Sequence, residues 1–345
     1  MELGIYTFVE NTPLGETGKP LHPAERLEHL LEEAELADQL GLDVFAVGEH
    51  HREEYVSSAP SVILSAIAAK TQNIRLSSSV TVLGSEESIR VYQQYATLDL
   101  LSKGRAEIMV GRGSFIESFP LFGYDLQNYE DLFEEKLQQL LEINDNEILH
   151  WKGAHTPDVN GRGVYPRALQ SKLPIWRAVG GTPKSAYVTG ALGLPMAIAI
   201  IGGYPEQFKP MAELHKRGAI ENGHDPQPVS INSHGFIAET REEAIETAFP
   251  AFKTQMDKIG RERGWSPMTR EQFEASCTLR GANVVGSADD VIQKILYQQK
   301  IFGHSRFLLQ MSVGSIPHEK LLRSIELFAK EVAPAVREKI GALGV

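Results

Sequence analysis

Cysteine is nearly missing: Cys277 is the only one in 345 residues. A single thiol excludes a disulfide framework, a cysteine-rich zinc site and an all-cysteine iron–sulfur cluster. Cys277 is therefore read as a packing residue rather than a nucleophile. Long apolar runs are missing too. The most apolar stretch, LGLPMAIAIIGG (192–203), is interrupted by glycine and proline and is too short for a bilayer. Nor is there a basic stripe. The formal net charge is −11, which argues against a nucleic-acid partner. The opening MELGIYTF reads as a strand, not as a charged segment leading into a secretory apolar core. The expectation is a cytoplasmic chain with neither nucleic acid nor membrane among its partners.

What is present is a steady alternation. Short apolar runs recur at 3–8, 43–49, 74–83, 106–111, 174–180, 195–200, 229–238 and 305–311. Most lack an in–out alternation, as strands buried on both faces should. Helical patterns separate them at 22–41, 87–104, 128–144, 182–193 and 240–260, with acids near their starts and glycine past several ends. The motifs QLGLDVF, ALGLPMA and FGHSRFL each place that glycine directly before a strand. Strands joined by helices imply a parallel sheet, and eight such units favour a closed (β/α)₈ TIM barrel, read here as one domain over 1–345. Two stretches do not fit the repeat: 147–173 before strand five, and 261–286 after strand seven. The second is expected to cover the barrel mouth.

In such barrels chemistry sits at the carboxyl ends of the strands. Strand two ends in Gly48-Glu49-His50-His51-Arg52-Glu53. Adjacent strand residues face opposite ways, so His50 and His51 are poorly placed to share a metal ion, and no metal site is assigned. Strand four ends in Gly111-Arg112-Gly113, where small flanks would let backbone approach while the guanidinium forks onto an anion. Strand five ends in Gly180-Gly181-Thr182-Pro183-Lys184-Ser185 and opens a helix. Thr182 is a suitable N-cap and Pro183 a suitable first helical residue. Bare N–H groups, the helix dipole and the hydroxyls of Thr182 and Ser185 together form a seat for phosphate. The same residues would also serve a well-capped helix. Strand six closes with Gly202-Gly203, again small, and strand three brings Ser77-Ser78-Ser79 to the mouth, where a flat heterocycle could lie. A dinucleotide GxGxxG and a Walker A loop are both missing. No lysine stands at a strand end to form a Schiff base.

Taken together, these residues resemble the bacterial luciferase-like, flavin-dependent monooxygenases over nearly the whole chain. Glu49-His50-His51 is similar to the family's Glu-His-His segment, which places the redox role on His50. Leu101-Ser102-Lys103-Gly104-Arg105 resembles the family's Ser-Lys-Gly-Arg segment and leads to Arg112, the position that reaches the FMN phosphate. Gly181-Thr182-Pro183-Lys184-Ser185, followed by Gly193-Leu194-Pro195-Met196, resembles its phosphate turn. Gly111 stands where luciferase carries a reactive cysteine. A non-proline cis peptide on strand three would fall near Ser79-Val80.

The resemblance implies a two-component monooxygenase. Reduced FMN comes from a separate flavin reductase, and O₂ supplies one oxygen atom to a small-molecule substrate. FMN would be held by Ser79, Arg112, Gly180, Gly181, Thr182, Ser185, Gly202 and Gly203. His50 would titrate near neutrality and handle the proton. A homodimer through the helices near strands two and three is also implied. Two alternatives stay open: an F420-dependent reductase or dehydrogenase on the same barrel, and a flavin-binding protein without catalysis. Selectivity is assigned to the loops 114–127 and 261–286. Tyr6, Phe8, Phe115, Phe119 and Phe122 are candidates for an apolar pocket.

Overall fold

The structure is a computed structural model that describes residues 1–14 and 18–342. Among them, eight parallel strands close into a barrel. They are β1 (Glu2–Thr7), β2 (Val44–Val47), β3 (Arg75–Ser78), β4 (Ala106–Gly111), β5 (Ile175–Val179), β6 (Met196–Ile200), β7 (Val229–Ile237) and β8 (Arg306–Gln310). Each pairs with the next, and β8 returns to β1 to complete the ring. This is the TIM-barrel fold expected from the spacing.

The local chemistry of the helices explains where they stop. Pro23–Gln39 opens on a proline, takes a cap from His22, and buries Leu30, Ala34 and Ala37. Gly41, Gly193 and Gly303 follow helix ends at φ 76°, 65° and 62°, a conformation that costs glycine little. Apolar side chains alternate to the outside of the strands, under the helices, and to the inside. The interior layer consists of Tyr6, Val44, Ala46, Met109, Trp176, Ala197 and Leu308. Cys277 is buried, and burial pushes its thiol up to about 11, which suits packing rather than nucleophilic attack.

Two elements differ from the sequence expectation, and the stretch 147–173 agrees with it as a strand-and-turn excursion before β5. The run 74–83 is two pieces, β3 and a short Thr81–Val82 strand beside Val110 and Gly111, with a cis Ser79–Val80 peptide between them. Hydrogen bonds from Ser79 N–H to Val47 and from Glu49 N–H to Val80 bind this turn to β2. Such ladder bonds leave no mark in a run of small residues. The stretch 147–173 forms an antiparallel hairpin, Ile148–Trp151 with Val159–Gly163. The stretch 261–286 does not fold as a separate cover. The helix Arg241–Arg263 runs into it, Phe273 packs on Phe249 and Phe252, and Val284–Gly286 adds a parallel strand beside β7. Only its beginning, Glu262 and Arg263, reaches the mouth. Burying Phe273 against that helix draws the rest of the segment to the outside.

Among the described residues no helix is long and apolar enough to cross a membrane. At the amino ends of the strands, Glu107 is fully buried and ion-paired with Arg306 at 2.5 Å and Arg75 at 3.1 Å. Arg306 lies over the Trp176 ring, 4.2 Å from its centroid. A cavity of about 900 Å³ opens beside this cluster, at the end of the barrel opposite the candidate chemistry.

Candidate active site

Alternation along the strands builds an asymmetric mouth. On β3 to β5 the inward positions near the carboxyl ends are small: Ser79, Gly111 and Ala178. On β1, β7 and β8 they are large: Phe8, His234 and Gln310. Ser79 Oγ accepts a bond from Asn232 Nδ2 at 3.3 Å, which marks both as facing the interior. Gly111 has a steric reason to be glycine, since a Cβ there would lie 2.9 Å from a Val80 methyl. A Cβ on Gly48 would likewise strike the Phe8 ring at 2.3 Å. The floor is therefore open over β3 to β5 and walled on the other side.

His50 stands in that wall, 7% exposed. Its ring stacks on Tyr55 at 4.3 Å and meets Phe8 and Phe115 edge-on at 4.4 and 5.2 Å. Burial, with the charges of His51 and Arg52 adding to it, pushes its pKa down to about 3. This corrects the expectation of a histidine titrating near neutrality: His50 is neutral at pH 7, because three aromatic rings have replaced its water. His51 points elsewhere. It pairs with Glu49 at 2.8 Å and meets Phe122 edge-on. Glu49 also accepts the Val82 N–H, so this acid is committed to holding the loop. The aromatic candidates divide. Tyr6, Phe8 and Phe115 border the mouth, whereas Phe119 is fully buried and packs beside Val82, Leu132 and Tyr129, away from it.

The β5 turn is open. Gly180, Gly181, Thr182, Pro183 and Lys184 are exposed and Ser185 is half-buried. Gly181 has φ 123°, where other residues are strained. Thr182 occupies the N-cap position of Pro183–Ala191, but its hydroxyl makes no capping bond among the described residues. Thr182 and Pro183 thus hold the N-cap and first helical positions expected of them, and the Thr182 hydroxyl is left uncommitted. Gly202 is exposed at the end of neighbouring β6, and a Cβ there, or on Gly180 or Gly181, would meet nothing within 4 Å. Gly203, at φ 70°, faces Gln207. The β4–β5 register pairs Val110 with Arg177, so two further residues set Arg112 beside Val179, next to the turn. Arg112 pairs with the exposed Glu130 at 3.1 Å and lies over Tyr129.

A clasp crosses the mouth. Arg52 binds Glu54 at 2.9 Å, Glu117 at 2.5 Å and Glu262 at 2.6 Å, and its guanidinium covers Phe115. Arg263 donates to the Ser114 carbonyl at 2.9 Å. The loop after β4 is thereby tied to the end of Arg241–Arg263.

The chain belongs to the luciferase-like monooxygenase family.

That family's model matches residues 1–305. The chain is 29% identical to the alkanal monooxygenase alpha chain of Photobacterium leiognathi over 343 residues, 91% of this chain and 94% of that one. It is 30% identical to the N-acetyl-S-alkylcysteine monooxygenase of Bacillus subtilis (strain 168) over 230 residues, spanning 64% of this chain and 65% of that protein. Among solved structures, monooxygenase RslO1 from Streptomyces bottropensis superposes with a TM-score of 0.82 at 24% identity, covering 97% and 99% of the two chains. The FMN complex of the oxygenating constituent of 3,6-diketocamphane monooxygenase from Pseudomonas putida gives 0.76 at 20% identity, over 97% and 98%. An F420-dependent secondary alcohol dehydrogenase gives 0.76 at 18% identity, over 97% and 99%. At these identities the structures establish the fold.

Several residues of this family member's mouth escaped the sequence reading. Glu10 is buried just past β1, where Gln310 donates to it at 2.5 Å and Thr7 at 3.0 Å. Burial pushes its carboxyl up to about 7, against the lowering effect of its hydrogen bonds and of Arg26. His234 is buried on β7 and is pushed down to about 4 by burial. The only signal for Glu10 was an acid directly after an apolar run, TFVE.

Proposed function

We propose that this chain is the oxygenating component of a two-component flavin monooxygenase, holding FMN and acting on a small organic molecule. One observation carries the reading: a floor of small residues adjoins an exposed, glycine-rich helix start at the same barrel mouth. The residues fit FMN. Gly180, Gly181, Gly202 and the uncommitted Thr182 hydroxyl surround open space where a phosphate would meet N–H groups and the helix dipole. The pairing of Arg112 with a largely exposed glutamate is weak enough for a phosphate to replace. The relatives that oxygenate alkanals and alkylcysteines, and the FMN complex of the diketocamphane enzyme, support the flavin and the oxygen.

Bound FMN, reduced by a separate flavin reductase, supplies reaction with O₂. The chain's own residues do the rest. Arg112, Thr182, Ser185 and the N–H groups of Gly180 and Gly181 bind the phosphate, with Gly202 and Gly203 bordering it. Ser79 and Ala178 keep the floor low for the flat ring, and Gly111 admits the Val80 side chain beside it. His50 stays neutral, holding its proton on one ring nitrogen, and acts as a hydrogen-bonding group rather than a cationic acid. The Arg52 clasp holds loop and helix over the mouth and keeps water out. A cytoplasmic homodimer completes the reading, through the helices Pro60–Lys70 and Ser88–Ser102, which expose Val62 and Leu101. Sedimentation of the intact chain tests the dimer.

Oxygen uptake in the presence of chemically reduced FMN tests the chemistry. Uptake coupled to oxygenation of an added alkanal or thioether supports it. Hydride transfer with reduced F420 alone, and no oxygen uptake with FMN, overturns it.

A further inference from the structure

The wall of the mouth contains buried polar atoms that find no hydrogen-bond partner among the described residues. Gln310 is 2% exposed and uses both amide hydrogens, donating to Glu10 at 2.5 Å and to the Ser312 carbonyl at 3.1 Å. A carbonyl only accepts, so the amide orientation is fixed and Oε1 is left as a bare acceptor. His234, the register partner of Gln310 on the neighbouring strand, is 8% exposed and has an unpartnered Nδ1. From above, the helix Arg241–Arg263 contributes Gln255, 2% exposed, whose Nε2 donates to the Tyr55 hydroxyl at 2.8 Å while Oε1 has no partner. Phe252, three residues earlier on the same helix face, meets the His234 ring edge-on. Tyr55 in turn stacks on His50.

Buried polar atoms without partners are rare in folded chains and need an explanation. Here they come from β7, β8 and one helix, and they sit among Phe8, Phe115 and Phe252 beside the candidate redox histidine. Glu10 and Ser312 fix which atom of Gln310 faces inward, whereas the Tyr55 hydroxyl can donate or accept and lets Gln255 present either amide atom.

We infer that the wall formed by Gln310, His234 and Gln255 is a substrate subsite that selects an aromatic or apolar molecule bearing a hydrogen-bond donor. The donor is an N–H or O–H group. The inference rests on the flavin reading above, and it names the class of substrate for that site. A molecule carrying only acceptors would confront the bare amide oxygen of Gln310, and a site built this way rejects such an analogue strongly. The apolar rings around it take the body of the ligand.

The test uses the full chain, with and without FMN, and two probes of one shape. Indole carries an N–H where benzofuran carries an oxygen. Calorimetric titration is expected to show indole binding at least about tenfold more tightly. Gln310→Met and His234→Phe should each bring the ratio towards one. Equal affinity in the unaltered chain, or binding of neither probe, overturns the subsite, whether or not either variant folds. So does a ratio that survives both substitutions. FMN binding is followed in the same samples by flavin fluorescence. A chain that prefers indole but does not bind FMN sinks the flavin reading and leaves the subsite standing.

Discussion

Glu10 and Gln310 meet where β1 and β8 end, with Gln310 Nε2 donating to Glu10 Oε1 across 2.5 Å. The pair joins the first strand of the barrel to the last, beside the His50 wall. Glu10 also accepts from Thr7, so its carboxyl is surrounded by donors and holds its neighbours in one orientation. Across the mouth, the ends of β3 to β5 present mainly small side chains and an exposed glycine-rich turn. One half of the mouth is thus rigid and polar, and the other is shaped to be filled.

Arg112→Ala is expected to weaken FMN binding by roughly 1.5–3 kcal/mol, the range for a charge-assisted contact. Fluorescence titration of FMN reads this directly. An unchanged dissociation constant would place the phosphate elsewhere.

Gly111→Ala should destabilise the fold by about 1–3 kcal/mol, because the new Cβ would press on the Val80 side chain at 2.9 to 3.2 Å. Adding Val80→Ala should recover part of the loss, since the two side chains compete for one space. Urea unfolding of the two single variants and the double measures the coupling. Strict additivity would mean that the clash is relieved by other means.

Glu107→Ala should cost about 3–5 kcal/mol of stability, because it leaves the buried Arg306 without its carboxylate. FMN affinity should not change, since the cluster lies at the amino ends of the strands. A fall in affinity with stability intact would contradict that separation.

The stability of the chain should fall on the acid side. His50, His234 and His304 are pushed down to about 3, 4 and 3, chiefly by burial. Unfolded histidine binds its proton near 6.5, so the stability these residues support is complete above that pH and is lost as pH drops towards 4 and 3. Glu10 has the opposite sign. Its raised pKa gives a contribution complete below 4.5 that is lost as pH rises to about 7. Glu86, pushed up to about 6 by burial, shares the sign of Glu10, and the three histidines outweigh these two acids to leave a net loss between pH 6.5 and 4.5. His304→Leu should make that decline shallower by about 1.4 kcal/mol per pH unit, measured by urea unfolding across the range. An unaltered slope would show that His304 protonates in the fold.

Much of the architecture was legible because its causes are local. The strands appear as apolar runs that need no partner to be recognised. The helix ends appear as Gly41, Gly193 and Gly303, which adopt the conformation that stops a helix. The turn Gly180–Ser185 announced an exposed helix start, and the structure has one. The resemblance also named the neighbourhood of the cis bond at Ser79–Val80. By contrast, Phe119 and Phe115 are equivalent as letters, and only packing sends one under Val82 and the other against His50. The stretch 261–286 looked like a cover because its anchor, Phe273 on Phe249 and Phe252, requires two helices to be in place.

The sequence by itself determined that this chain would close a barrel, and it marked the strand ends where ligands could be held. Periodicity, helix punctuation and turn chemistry act over a few residues, and they are written along the chain. Only the tertiary structure decided the state of the site. His50 became neutral because Phe8, Tyr55 and Phe115 converged on it and excluded water. Gln310 acquired a fixed orientation because Glu10, 300 residues away in sequence, came within hydrogen-bonding distance. Desolvation and long-range pairing depend on what surrounds a residue in space, and neither exists until the last strand closes on the first.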